Sequence, residues 1–215
     1  MNDLWRGLSR REALAWVIAP LGACARAEER LKFTDGAAFL GGPCATATPH
    51  AQIAAKSEPG RRLVVRGQVF RSDGRTPAAR VILYAYHTDA AGLYNPRGLP
   101  GARLHAWLRT DAKGRYEYRT IRPGAYPGRT AAAHIHLQLW GNGVPPQYNY
   151  DVLFEDDPLV SADDWRLSGG LGPFAFVHAP SEENGVLDLT HNIRLKPGGD
   201  LFEENIMHGL RPCGK

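Results

Sequence analysis

His134 and His136, with Tyr126 shortly upstream, are the residues of this sequence whose types and spacing could do chemistry together. A strict alternation runs from His134 to Trp140. Ile135, Leu137 and Leu139 share one face of a strand, while His134, His136, Gln138 and Trp140 share the other. Residues two apart on a strand project from one face, roughly 6.5 Å apart along the chain, so two imidazoles at that spacing can converge on one metal ion. Alone, a His-x-His pair is weak, because the polar face of a half-buried strand is usually just solvated. Tyr126 stands shortly upstream in a Pro/Gly-rich loop, Arg122-Pro-Gly-Ala-Tyr-Pro-Gly128, and Pro127 holds it in the extended region. Gly124 lets the backbone turn tightly beside Tyr126, as Gly92 does beside Tyr94. Taken singly, each tyrosine reads as a core or turn residue whose hydroxyl makes one hydrogen bond.

The elements that must position these side chains are short and β-like. Strand patterns cover Arg62–Phe70, Arg80–Tyr86, Leu104–Arg109, Arg115–Ile121, the histidine strand, Tyr150–Phe154, Phe174–Val177 and Val186–Leu195. Turn chemistry separates them, at Ser72–Pro77 and at Asp111–Gly114, where a hairpin is expected. No helical run is long enough for a βαβ unit, and there is no repeat. The pattern predicts an all-β fold, an antiparallel β-sandwich of the transthyretin or immunoglobulin kind with long loops. With 215 residues, 43% hydrophobic and 22% charged, the chain suits one domain with a sizeable core. The net charge of +4 comes from scattered basic residues with no run longer than two, which excludes a nucleic-acid footprint.

The ordered set Gly92-Leu-Tyr94, Pro123-Gly-Ala-Tyr126-Pro127 and His134-Ile-His136 resembles the intradiol ring-cleavage dioxygenases, the family of catechol 1,2- and protocatechuate 3,4-dioxygenases. Gly67-x-Val69, Gly74-Arg-Thr-Pro77 and Thr110-Asp-x-x-Gly-x-Tyr116 match the same family's strand-and-turn framework, so the likeness runs from about Leu63 to about Pro158. The resemblance implies that Tyr94, Tyr126, His134 and His136 ligate a non-haem Fe(III), the cofactor, and that the substrates are a catechol and O2. It implies ring opening between the two hydroxyl carbons to a cis,cis-muconate-type diacid, with Tyr126 leaving the iron and acting as base. The donor chemistry agrees, since phenolate is a hard anionic oxygen that suits a hard ferric ion and imidazole suits iron as well. The family's arginine three residues before the first histidine is Ala131 here, and Arg129 is the nearest replacement. Asp151 stands near a substrate-facing glutamine of the family, and His87 and His105 are further pocket candidates that read more readily as surface or packing histidines. Two other readings stay open: a non-catalytic transthyretin-like binding module with a relic metal site, and a zinc enzyme built on the histidine pair.

Residues 1–27 read as a signal peptide, with Arg6, Arg10 and Arg11 before the apolar run Ala13–Ala23. Ser9-Arg10-Arg11 resembles a twin-arginine export motif, and Leu21-Gly-Ala-Cys24 resembles a lipoprotein box that would anchor the chain to lipid through Cys24. An exported, periplasmic or membrane-anchored protein is the expectation. The mature domain would span 28–215 with an extended arm over 28–60, as a monomer or a homo-oligomer. Cys44 and Cys213 could then pair as a disulfide.

Overall fold

The computed structural model describes residues 46–97, 102–128 and 131–200. The export motif, Cys24, Cys44, Cys213 and Arg129 lie outside the described residues. Strands β1 (His50–Gln52), β2 (Arg62–Phe70), β5 (Arg115–Ile121), β10 (Ser181–Glu183), β11 (Val186–Thr190) and β12 (Ile193–Arg194) form one sheet, ordered β1-β5-β2-β11-β10 with β12 also on β2. Strands β3 (Ile82–His87), β4 (Leu104–Arg109), β6 (His134–Gly141), β7 (Val144–Tyr148), β8 (Val152–Phe154) and β9 (Val177–His178) form the other, ordered β4-β3-β6-β8-β9 with β7 also on β6. The inward residues of both sheets make one core. Leu63, Val65 and Val69 of β2, Tyr116 and Tyr118 of β5, and Leu187 and Leu189 of β11 meet Leu83 and Ala85 of β3 and Ile135, Leu137 and Leu139 of β6. The alternation read in the histidine strand therefore puts its apolar half in the sandwich interior and its histidines on the outer face.

The outer face of the second sheet is itself covered. Ile82, Tyr84, Tyr86 and Trp140 pack there as a second apolar cluster with Tyr94 and Trp107 against it. All six residues of β3 are consequently buried, which is why that strand shows no polar face in the sequence.

The sandwich is mixed rather than strictly antiparallel. β1 runs parallel to β5, β11 and β12 run parallel to β2, and β9 runs parallel to β8. Alternation reports which face of a strand is buried and carries no information about the direction of its neighbour. Four predicted strands are also shorter or displaced. β3 starts only at Ile82, after Arg80 in a left-handed conformation. Tyr150–Phe154 is reduced to Val152–Phe154, and Phe174–Val177 becomes a 3-10 turn over Gly172–Phe174 followed by β9. Val186–Leu195 is broken into β11 and β12 at His191 and Asn192, where Asn192 turns its side chain onto the Gln68 amide. The arm over 28–60 contributes β1 at the edge of the first sheet. A helix unforeseen in the sequence, α1 (Ala162–Gly170), starts at a capping box formed by Ser161 and Asp164. It buries only Ser168 among its residues, so it carries no apolar period to reveal it. Among the described residues, no helix is long and apolar enough to cross a membrane.

Candidate metal centre

Three segments bring the four side chains to one point. β6 carries His134 and His136 on its outer face, the loop after β3 carries Tyr94, and the loop after β5 carries Tyr126. The two tyrosine loops touch backbone to backbone. A Cβ on Gly92 would stand 1.9 Å from the Ala125 carbonyl oxygen, and one on Gly124 would stand 2.5 Å from that of Ala90. The Gly124 amide donates to the Asp89 carbonyl at 2.9 Å, and the Thr88 hydroxyl donates to the Gly124 carbonyl at 2.7 Å. Gly92 also has φ +82°, which a side chain rarely adopts. The Tyr94 loop is further fixed by Asp89, whose carboxylate accepts the Ala91 and Leu93 amides at 2.9 and 3.0 Å. At the base of the Tyr126 loop, Arg122 makes a two-pronged pair with Asp156, both arms 2.6 Å, and lies over the Phe154 ring. Asp157 accepts the Ala133 amide at 2.9 Å and sets the entry to the histidine strand.

The donor atoms crowd together. Tyr94 Oη is 2.5 Å from Tyr126 Oη and 2.7 Å from His136 Nε2; Tyr126 Oη is 3.1 Å from His134 Nε2 and 3.4 Å from His136 Nε2. The two Nε2 atoms are 3.0 Å apart. Each imidazole is held by its other nitrogen: His134 Nδ1 meets the Ala132 carbonyl at 2.6 Å, and His136 Nδ1 meets the Asp151 carboxylate at 2.9 Å. A carbonyl and a carboxylate can only accept, so Nδ1 carries the proton on both rings and the lone pairs of the Nε2 atoms point at each other. Lone pairs crowded at that distance repel, and either the tyrosine hydroxyl protons beside them or a cation among them relieves the repulsion. Ligand atoms bound about 2.0–2.2 Å from one ion lie roughly 2.8–3.5 Å apart, which is close to the spacing of this set. Burial and the neighbouring His136 also push the His134 pKa down, keeping that ring neutral and able to bind a metal. The residues fit a single metal ion with two phenol and two imidazole donors.

His134, His136 and Asp151 also form a compact trio of metal-binding types. Asp151, however, meets the outward nitrogen of His136, on the opposite side of the ring from the convergence. It backs a donor, so the structure places Asp151 behind His136 rather than among the converging atoms. Tyr86 was not singled out, yet its ring stacks on His136 with centroids 4.6 Å apart and also packs on Tyr94. Its place two residues after Tyr84 on the same strand face is a core signal and nothing more.

His87 has no place in the pocket. It belongs to the inward set of β3 and is fully buried, with Nδ1 on the Thr88 carbonyl at 2.6 Å and Nε2 on the Thr120 hydroxyl at 2.7 Å. Burial lowers its pKa to about 4. His105 is occupied by the Ala102 carbonyl and packs edge-on against Trp107.

The two-sheet sandwich fold is shared with solved dioxygenases. The dioxygenase domain of a dioxygenase–carbohydrate-binding protein fusion from Streptomyces sp. SirexAA-E superposes with a TM-score of 0.55 at 24% identity, over 69% of this chain and 88% of that one. Catechol 1,2-dioxygenase from Acinetobacter sp. ADP1 gives 0.56 at 22% identity, over 69% and 57%. The protein-family model described as Dioxygenase matches residues 35–197, and the chain belongs to this family, that of the intradiol ring-cleavage dioxygenases. In sequence it is 33% identical over 120 residues to the protocatechuate 3,4-dioxygenase beta chain of Burkholderia cepacia, covering 48% of this chain and 49% of the relative. It is 32% identical over 138 residues to catechol 1,2-dioxygenase 2 of Acinetobacter lwoffii, covering 53% and 50%. The chain thus spans about half the length of the curated relatives it matches.

Proposed function

We propose that the protein is a non-haem Fe(III) dioxygenase that opens a catechol-type ring between its two hydroxyl carbons with O2, giving a cis,cis-muconate-type diacid. The observation that carries this reading is the convergence of two phenol oxygens and two imidazole Nε2 atoms, with both Nδ1 atoms engaged behind them. Tyr94, Tyr126, His134 and His136 would hold the ion. Two phenolates favour a ferric over a ferrous ion and make a poor zinc set, since zinc prefers thiolate, imidazole and carboxylate. When bound, Fe(III) would supply a Lewis acid and electron acceptor at which a catecholate is activated toward O2.

The chain's own residues divide the remaining work. Tyr94 is packed against Tyr86 and the outer aromatic cluster, which suits a permanent ligand. Tyr126 is followed by the exposed residues Pro127 and Gly128, and a Cβ on Gly128 would meet nothing within 4 Å. That freedom suits a phenol that yields its place to the substrate. Its Oη would then accept a catechol hydroxyl proton, as a base already within hydrogen-bond reach of the site. His134 and His136 would stay as donors throughout, oriented by Ala132 and Asp151. The relatives' names bring catechols and protocatechuate forward as the substrate class.

The test is metal content and the visible spectrum of purified protein, followed by product analysis with catechol and protocatechuate under O2. Iron near one equivalent, a red-brown colour from phenolate-to-Fe(III) charge transfer, and a ring-opened diacid are expected. A colourless, zinc-loaded protein that leaves catechols intact would falsify the reading.

A further inference from the structure

The two histidines of the centre are backed unequally. His134 Nδ1 donates to a neutral backbone carbonyl, that of Ala132, at 2.6 Å. His136 Nδ1 donates to the carboxylate of Asp151 at 2.9 Å. The second contact is built by strand register. β6 and β8 pair antiparallel with His134 opposite Leu153 and Ile135 opposite Val152. One step further along the same register puts Asp151 opposite His136, on the same face of the sheet. The approach to this position is pinned, because Tyr150 stacks on Phe176 with rings 4.7 Å apart and 9° from parallel, and Leu153 donates to the Phe176 carbonyl at 2.8 Å.

The charge of Asp151 is also unspent. Among the described residues its ion-pair partner is His136, and no arginine or lysine lies against it. The titratable groups that face it are His136, His134 and His191. Its side chain is 34% exposed, so it is partly withdrawn from the water that would otherwise screen it. Two other carboxylates near the site do have cationic partners: Asp156 pairs with Arg122, and Asp89 lies 3.7 Å from Arg103.

We propose that Asp151 is a positioning residue of the metal centre that also delivers a fixed negative charge to the bound ion through His136. The inference rests on the ferric reading of the site. A carboxylate on Nδ1 strengthens the imidazole as a donor at Nε2, fixes its tautomer and fixes its ring plane. The charge enriches the ion in electrons, which favours the trivalent state and raises the energy needed to move an electron from a phenolate to it. Asp151 thereby acts on His136 and not on substrate. His136 is the stronger of the two imidazole donors, and the asymmetry is written in which backbone or side chain happens to stand behind each ring.

The experiment compares iron-loaded wild type, Asp151→Asn and Asp151→Ala by two readouts besides turnover: iron retained against a chelator, and the wavelength of the phenolate-to-Fe(III) band. Asp151→Ala removes both hydrogen bond and charge and should weaken iron binding by about 10- to 100-fold. Asp151→Asn keeps an acceptor oxygen for Nδ1 but no charge. It should retain iron better than Asp151→Ala, and its band should move to longer wavelength. A coloured wild type alongside an Asp151→Asn protein with the same band and the same retention overturns the proposal while leaving the iron site intact. An Asp151→Asn protein as iron-free and colourless as His136→Ala also overturns it, because Asp151 would then be a ligand itself. A wild type that binds no iron overturns the ferric reading and this inference with it.

Discussion

At the scale of single residues, the two tyrosines of the site have different surroundings. Both hydroxyls touch His136 Nε2, but only Tyr94 is wedged among Tyr86 and the outer cluster. Tyr126→Phe should therefore keep most of the iron and a charge-transfer band from Tyr94. Its turnover should fall by about 10²–10⁴-fold, the usual effect of losing a positioned base. Tyr94→Phe should bleach the protein or empty the site. Iron analysis, the visible spectrum and steady-state rates on both variants check this assignment. A Tyr126→Phe protein that cleaves catechol at the wild-type rate would remove the role given to Tyr126 and leave the metal site standing.

At the scale of elements, the centre depends on two loops that can approach only because each presents a glycine to the other's backbone. Gly92→Ala would drive a methyl group into the Ala125 carbonyl at 1.9 Å and would strain a positive φ as well. The expected loss of stability is at least about 1 kcal/mol, because neither the backbone clash nor the dihedral can relax locally. The displacement falls between Tyr94 and Tyr126, so iron affinity should drop more than the melting temperature alone would suggest. Chemical denaturation and iron titration of Gly92→Ala measure the two effects separately. Alanine in place of Gly128, where φ is +92° but nothing lies within 4 Å, gives the backbone strain without the clash and serves as the control.

At the scale of the whole molecule, the interior holds neutral histidines that acid must charge. His87 is fully buried between Thr88 and Thr120, with its pKa lowered from 6.5 to about 4. His178 and His191 form a second pair, 2.9 Å apart, and burial pushes both downward. The unfolded chain binds protons at these positions at higher pH than the folded one does. Their contribution is thus fully present above about pH 6.5 and is lost as pH falls toward 4. For His87 alone the full depression corresponds to about 3 kcal/mol. The urea midpoint should decline steadily from pH 7 to 4.5. His87→Leu, less stable at neutral pH because Thr88 and Thr120 lose their partner, should show a shallower decline. An unchanged slope in that variant would assign the acid sensitivity to other groups.

The amino-acid sequence by itself determined the period-two pattern, and with it the sandwich class and the face shared by His134 and His136. His134 and His136 were legible because alternation on one strand fixes which residues share a face. Tyr94 and Tyr126 were legible only through the ordered likeness of Gly92-Leu-Tyr94, Tyr126-Pro127 and His134-Ile-His136 to the intradiol dioxygenases, since each tyrosine taken singly reads as a core or turn residue. Only the tertiary structure decided what lies opposite those positions. The role of Asp151 depends on β6 meeting β8 in one register, and a one-residue slip would turn its side chain to the other face. His87 was open in sequence between a pocket role and a packing role. It is a core residue because its place on β3 shares a face with Leu83 and Ala85. Strand direction and helix α1 were hidden for a related reason. Local pattern records burial, whereas the parallel pairing of β2 with β11 and β12 arises from segments more than a hundred residues apart that must share one core.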